Sequence, residues 1–303
     1  MTNKLVSVII PTYGGSDSLE YAIESVLMQN YDNFEIIVVD DNNPNTEGRK
    51  KTDMIMQKYI RNNRVKYIKH KKNLNGAAAR NTGAKASRGE YLALLDDDDV
   101  FLQNKLKKQV DYLETHKEFD AVYCWRFENS RIITSNLEGN LSAELLDLSF
   151  TPCTDALMLR KKSYFDIGGF DETYIRHQDF EFLLRFFKHY KIGVVKDVLL
   201  KIVGNDIDNQ PRGQKIVDTK KKFLNTFDTD INEINTNIDG YKKKVYARHY
   251  ADVIIKLLRY GDIILAIKVY LTEGRKGGCE FWKELIDRLL KIINKKRECK
   301  RQK

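Results

Sequence analysis

Four short apolar runs, residues 5–10, 35–39, 65–68 and 91–95, punctuate the first hundred positions, and each ends abruptly in polar groups. Between them the apolar residues fall at helical spacing: Leu19, Ile23, Val26 and Leu27 in the first interval, Met54, Ile55, Tyr59 and Ile60 in the second, and the small-residue stretch 77–86 in the third. Ser16 stands where a helix N-cap is expected ahead of the first helix. A βαβαβαβ series demands a parallel sheet, because consecutive parallel strands need a crossover and the crossover helices cover the faces. The chain is therefore read as α/β, with a Rossmann-like, mostly parallel sheet flanked by helices. Ligands of such sheets bind beyond the carboxyl ends of the strands. Those ends carry Pro11-Thr12-Tyr13-Gly14-Gly15, Asp40-Asp41-Asn42-Asn43, the segment 73–80 and Asp96-Asp97-Asp98-Asp99, so the chemistry is expected where they converge.

Past Asp99 a helix over 105–113 leads to a strand over 121–127, and short strands then mix with a helix around 179–190. Beyond Gly204 the alternation stops. Residues 215–303 read as helical, with a pair over 250–258 and 263–271 broken at Gly261 and then an amphipathic tail. A chain of 303 residues with 42% hydrophobic content holds one large domain plus an appendix and excludes disorder. No apolar stretch approaches the ~20 residues of a membrane span, and the first apolar run has the β-branched content of a strand, so no signal peptide is expected. The four cysteines are far apart and the five histidines form no H-E-x-x-H, which argues for reduced thiols in a cytoplasmic protein and against a zinc hydrolase. The net charge of +9 is uneven: residues 215–303 hold 22 Lys+Arg against 12 Asp+Glu, and the rest 30 against 31. A near-neutral body with a basic end points to chemistry in the body and to an end that seeks an anionic surface, not to nucleic acid.

Four adjacent carboxylates at the end of a buried strand repel one another unless a cation or strong donors neutralise them, so a divalent hard ion is their natural partner. A solvated acidic turn is the plainer alternative. No EF-hand glycine or glutamate stands at the required positions, and neither a P-loop nor G-x-G-x-x-G is present. An open site of two or so carboxylates leaves places for phosphate oxygens, as Mn2+ or Mg2+ prefers. Arg80 adds a fixed positive charge where helix N-terminal amides also favour anions.

Val8-Ile9-Ile10-Pro11-Thr12-Tyr13, Ile37-Val38-Val39-Asp40-Asp41-Asn42, the segment 75–83, Leu95 with its four acids, and Gly168-Gly169-Phe170-Asp171-Glu172 followed by Gln178-Asp179 occur in that order. Together they resemble the family 2 glycosyltransferases of the GT-A fold, over about the first 200 residues. The resemblance implies a catalytic domain over 1–210, its nucleotide half about 1–100 and its acceptor half about 101–210, and a helical region over 211–303. It implies a UDP-sugar donor. Pro11, Thr12 and Tyr13 with Asp41 look like the uracil pocket, and Asn73 and Arg80 like the residues that steady the nucleotide sugar and diphosphate. Asp96 and Asp98 match the D-x-D pair, Asp98 bearing most of the metal contact and Asp96 facing the ribose and sugar. Asp179 matches the catalytic base of an inverting transfer, although as an isolated residue it also reads as a helix N-cap. Where similar enzymes have Glu-Asp, this chain has Gln178-Asp179. Residues 182–186 lack the Gln and Trp of processive members, so one sugar per encounter is expected, in building capsule, O-antigen or a wall glycan.

Phe281, Trp282, Leu285, Ile286, Leu289, Leu290, Ile292 and Ile293 share a broad helical face, followed by Lys295-Lys296-Arg297 and Lys300-Arg301. Such a tail over 281–303 either lies on an anionic membrane, packs on its own helix pair, or joins a homo-oligomer. An acceptor on a lipid carrier favours the first and would place the enzyme peripherally on the inner membrane face. Two other readings are a sugar nucleotidyltransferase, whose basic Gly-rich loop is missing after the first strand, and a nucleic-acid binder, whose interleaved aromatics are missing from 294–303.

Overall fold

The computed structural model describes residues 4–151, 153–204 and 211–301, with side chains to Ile292. In chain order its elements are β1 (Val6–Thr12), α1 (Leu19–Leu27), β2 (Phe34–Asp40), α2 (Glu47–Gln57), β3 (Val65–Lys69), α3 (Gly76–Ala86), β4 (Tyr91–Leu94), β5 (Val100–Phe101), α4 (Lys105–Thr115), β6 (Ala121–Glu128), β7 (Arg131–Ile133), α5 (Ser142–Leu146), β8 (Met158–Arg160), α6 (Lys161–Asp166), α7 (Gln178–Phe186), β9 (Ile192–Lys201), α8 (Gln214–Thr226), α9 (Asp228–Asn237), α10 (Tyr241–Arg259), α11 (Ile263–Thr272) and α12 (Gly278–Arg301). They form two compact units, Met1–Ser142 with Thr151–Asn205, and Ala143–Phe150 with Asp206–Lys303.

The first unit is built on a mixed sheet ordered β3-β2-β1-β4-β8-β6-β9-β5, with β7 paired to β6. β2 and β4 are buried along their whole length and β1 along nearly all of it, as parallel strands covered on both faces must be. β3 alternates partly buried and exposed residues, with Lys66 and Lys69 on an edge strand that charge protects from further pairing. The ladder is parallel from β3 to β4 and turns antiparallel where β8 pairs with β4 and β6; β6 and β9 are parallel again. β1 lies between β2 and β4, so the crossovers leave it in opposite directions and open a crevice at the carboxyl ends of β1 and β4.

The small residues of α3 have a packing reason. Ala77, Ala78, Ala79, Gly83 and Ala84 are buried, and a Cβ on Gly83 would collide with the Ile9 side chain of β1. The helix therefore sits close against the sheet and brings Arg80 to the crevice. Two expected caps move. α1 starts at Leu19 with Ser18 at its N-cap, and Ser16 instead accepts from the Ser18 amide and donates to the Asp97 carbonyl. The N-cap of α7 is His177, with φ of 59°, and Asp179 lies inside the first turn.

In the second unit α10 is the central helix, and Val245, Tyr250, Val253 and Leu257 are buried on it. The segment Ala143–Phe150, expected to belong with the acceptor half, is held here by polar contacts. Tyr241 donates to the Ala143 carbonyl, His249 meets the Leu146 carbonyl at 2.8 Å, and Asp147 pairs with Lys244 and Arg248. Nothing in the hydrophobic pattern of 143–150 marks these long-range partners. Among the described residues no helix is long and apolar enough to cross a membrane. The basic residues from Lys295 onward, and Ile293, lie outside the described side chains.

Candidate active site

The four acids after β4 have different surroundings. Asp96 accepts from Arg80 Nη2 at 2.5 Å. Asp97 accepts from the Thr12 hydroxyl at 2.5 Å across the β1/β4 crevice and from the Tyr13 amide, while burial, reinforced by Asp98 and Asp96, pushes its carboxyl up to about 7. Asp99 accepts from the Val203 and Gly204 amides at 2.8 and 3.2 Å. Asp98 lies so close over Gly204 that no Cβ could stand there. Side-chain partners and a tight backbone thus hold four like charges where repulsion alone would splay them apart.

Asp155, which carries no signal in the sequence, joins this cluster from a single 3-10 turn over Thr154–Ala156. It is buried, burial together with Asp96 and Asp99 raises its carboxyl well above the usual range, and it shares a hydrogen bond with Asp99.

Arg80 is the hub. Its Nη1 donates to Gln178 Oε1 at 3.0 Å and its Nη2 to Asp96, and Phe170 lies 5.6 Å beneath it. Burial works against its charge, but the fields of Asp96, Asp155 and Asp179 outweigh that and strengthen it. Asp179, next to Gln178, accepts from the Phe180 amide at 3.0 Å. Burial lifts its carboxyl to about 6, against the opposing pull of that amide and of Arg80. The candidate base and the acid cluster therefore face one guanidinium from two elements, α7 and the end of β4.

The motif around 168–172 is fastened to α3 by Asn81. Its Oδ1 accepts from the Phe170 amide and the Tyr164 hydroxyl, and its Nδ2 donates to the Phe170 carbonyl and Glu172. Arg185 of α7 closes the same loop on the Ile167 and Gly169 carbonyls.

At the end of β1, Tyr13 presents an open ring, 62% exposed, beside partly buried Pro11 and buried Thr12. Asp41 is differently placed from expectation. Its carboxylate receives His70 Nδ1 at 2.7 Å and the Leu74 amide at 2.8 Å on one oxygen, and Asn73 Nδ2 and the Asn75 amide, both at 2.9 Å, on the other. All four lone-pair directions are filled, so Asp41 and Asn73 work together to hold the 73–75 loop ahead of α3. Because a carboxylate only accepts, His70 Nδ1 carries the proton. Neighbouring Asp40 is likewise committed to the Asn42 amide and the Tyr67 hydroxyl. Sequence reasoning missed His70, since a lone buried histidine has no pattern.

Comparison with known proteins agrees with this architecture. A family model described as "Glycosyl transferase family 2" matches residues 7–166. The "Uncharacterized glycosyltransferase MJ1057" of Methanocaldococcus jannaschii is 32% identical over 216 residues, covering 66% of this chain and 71% of that protein. WfaP of Escherichia coli, a "UDP-Glc:alpha-D-GlcNAc-diphosphoundecaprenol beta-1,3-glucosyltransferase", is 35% identical over 131 residues, 43% of this chain and 50% of its own length. The crystal structure of S. aureus TarS 1-349 in complex with UDP-GlcNAc superposes with a TM-score of 0.60 over 94% of this chain and 91% of that one, at 16% identity, which speaks to the fold. The family model covers the crevice strands, α3, the four acids and Asp155, and on that match this chain belongs to glycosyl transferase family 2.

Proposed function

We propose that the chain is a metal-dependent, inverting, nonprocessive hexosyltransferase that moves one sugar from a UDP-sugar to a saccharide acceptor on a lipid carrier, in the assembly of a surface polysaccharide such as capsule, O-antigen or a wall glycan. The observation that carries this reading is the convergence on Arg80 of Asp96 from the end of β4 and Gln178-Asp179 from α7. A diphosphate set beside Arg80 and the acids leaves its sugar pointing toward Asp179. TarS, described in complex with UDP-GlcNAc, and WfaP, named for UDP-Glc and a diphosphoundecaprenol-linked acceptor, support the donor and acceptor classes.

The donor set fits a hard divalent cation. Asp98 with Asp96, one oxygen of which already meets Arg80, would hold manganese or magnesium. Among the described residues no three ligating side chains converge, so phosphate oxygens of the donor would have to complete the shell of such an ion. When bound, the ion supplies positive charge to the departing diphosphate. Arg80 adds its own fixed charge on the same side. Asp179 takes the proton of the acceptor hydroxyl as that oxygen attacks the anomeric carbon from the face opposite the breaking bond, which inverts the configuration. In this reading the exposed Tyr13 ring packs on the uracil. A uracil imide N–H reaches Asp41 only by displacing one of its four donors, so in this reading Asp41 shapes the pocket through the 73–75 loop.

The test is direct. Purified protein with manganese and a panel of UDP-sugars is assayed for UDP release, with and without a lipid-linked or synthetic saccharide acceptor, and the product anomer is read by NMR. A preferred UDP-sugar and an inverted linkage are expected. Retention of configuration, or a requirement for UTP with pyrophosphate release, would contradict the reading.

A further inference from the structure

The second unit carries an apolar surface that its own core does not use. α11 reads IILAIKVYLT, yet only Ala266 and Val269 are buried. Ile264 is 85% exposed, and Ile263, Ile267 and Leu271 are each at least half open to solvent. On α12, Phe281 is buried while Trp282 and Ile286 face outward. The Tyr270 ring lies 5.2 Å from Phe281 and 5.0 Å from Trp282, which brings the last turns of α11 against the first turn of α12. Single exposed apolar residues are ordinary, but a double row with helical spacing marks a docking face.

Charge identifies the occupant. Residues 259–303 contain 13 Lys+Arg against 6 Asp+Glu, and α12 continues to Arg301, so the basic run that includes Lys295-Lys296-Arg297 belongs to the same helix. Arg259, Lys268, Arg275 and Lys291 are exposed on and around the two helices. A second copy of this chain would bring like charge to like charge, whereas an acidic surface meets both the apolar rows and the basic excess. Since no described helix can span a bilayer, the pair lies on the surface.

We propose that the α11–α12 face docks on an anionic lipid bilayer, with Ile264, Ile267, Leu271, Trp282 and Ile286 entering the boundary between headgroups and acyl chains. This goes beyond the glycosyl-transfer reading and rests on the second unit alone. The full chain is sedimented with vesicles of phosphatidylcholine, with and without about 30% phosphatidylglycerol, a level that gives the surface its negative potential. Binding to the anionic vesicles that weakens with salt is expected, together with a blue shift of tryptophan emission that Trp282→Phe removes. The double variant Ile264→Asp/Ile267→Asp should lose at least about tenfold in vesicle affinity, with its unfolding midpoint and UDP release in solution unchanged. The proposal is overturned if the wild type stays in the supernatant with anionic vesicles, or if the variant binds as well. It is equally overturned if light scattering finds a dimer that the variant breaks while vesicles bind neither form. Because UDP release is measured without vesicles, failure of the glycosyltransferase reading would leave this result untouched.

Discussion

Asp179 shows what one residue's surroundings do to its chemistry. Burial holds its carboxyl at about 6, so half of it is still protonated at that pH, and as the proposed base it is fully ionised only above it. The expected profile of kcat/KM therefore falls on the acid side of about pH 6, and Asp179→Asn should lose about 10²–10⁴ in transfer rate and the acid limb with it. The sign for stability is opposite. A folded-state pKa raised above the ordinary carboxyl value means that the ionised form is disfavoured in the folded protein, a loss that builds as pH rises from the ordinary value of 3.8 and is complete once pH passes about 6. Thermal unfolding should accordingly find Asp179→Asn no less stable than wild type at neutral pH. Gln178 tests the hub from the other side: Gln178→Glu would give Arg80 a second carboxylate partner beside Asp96. We expect KM for the donor to rise by about three- to tenfold as that charge is neutralised, and the acid limb to move up in pH, because a new anion beside Asp179 disfavours its ionisation. Unchanged KM and pH profile would remove Gln178 from the site. The acids, Arg80 and Asp179 could be singled out in the sequence by residue type and order, and the structure brings Asp96, Arg80 and Gln178-Asp179 together. Their partners were not: Asp155 arrives from a single 3-10 turn, and the four donors on Asp41 come from a loop whose path no periodicity encodes.

At the scale of elements, the site depends on how closely α3 lies on the sheet. Ile9, the buried alanines and Gly83 set that spacing, and Asn81 on the same helix fastens the 168–172 loop. Asn81→Ala would strand the Phe170 amide, the Phe170 carbonyl and the Tyr164 hydroxyl in a buried place. A loss of roughly 2–4 kcal/mol is expected from chemical denaturation, the size of one or two unmet buried groups after relaxation. A loss below about 0.5 kcal/mol, the range of ordinary surface substitutions, would show that the loop is held by other means. The alternation of strands and helices through β4 was readable because buried parallel strands and amphipathic helices have distinct periods. Caps were less so. Ser16 and Asp179 are good capping types by composition, but the chain placed Ser18 and His177 at those positions and used the other two for the crevice and the site.

For the whole molecule, the sequence suggests a boundary near residue 210, whereas Ala143–Phe150 clusters with the second unit, because Asp147 and the Leu146 carbonyl find their partners about a hundred residues later. Family membership rests on residues 7–166. In the proposed mechanism the acids after β4 bind the leaving diphosphate and Asp179 acts separately, on the acceptor. Calorimetric titration of UDP in the presence and absence of manganese tests it on three proteins: wild type, Asp98→Ala and Gly204→Ala, the last because a Cβ there would push the Asp98 carboxylate aside. Manganese should tighten UDP binding to the wild type, and both variants should lose at least about tenfold of that gain, the size of one charge-assisted contact, while keeping their fold. Equal manganese-dependent binding by all three would contradict the claim.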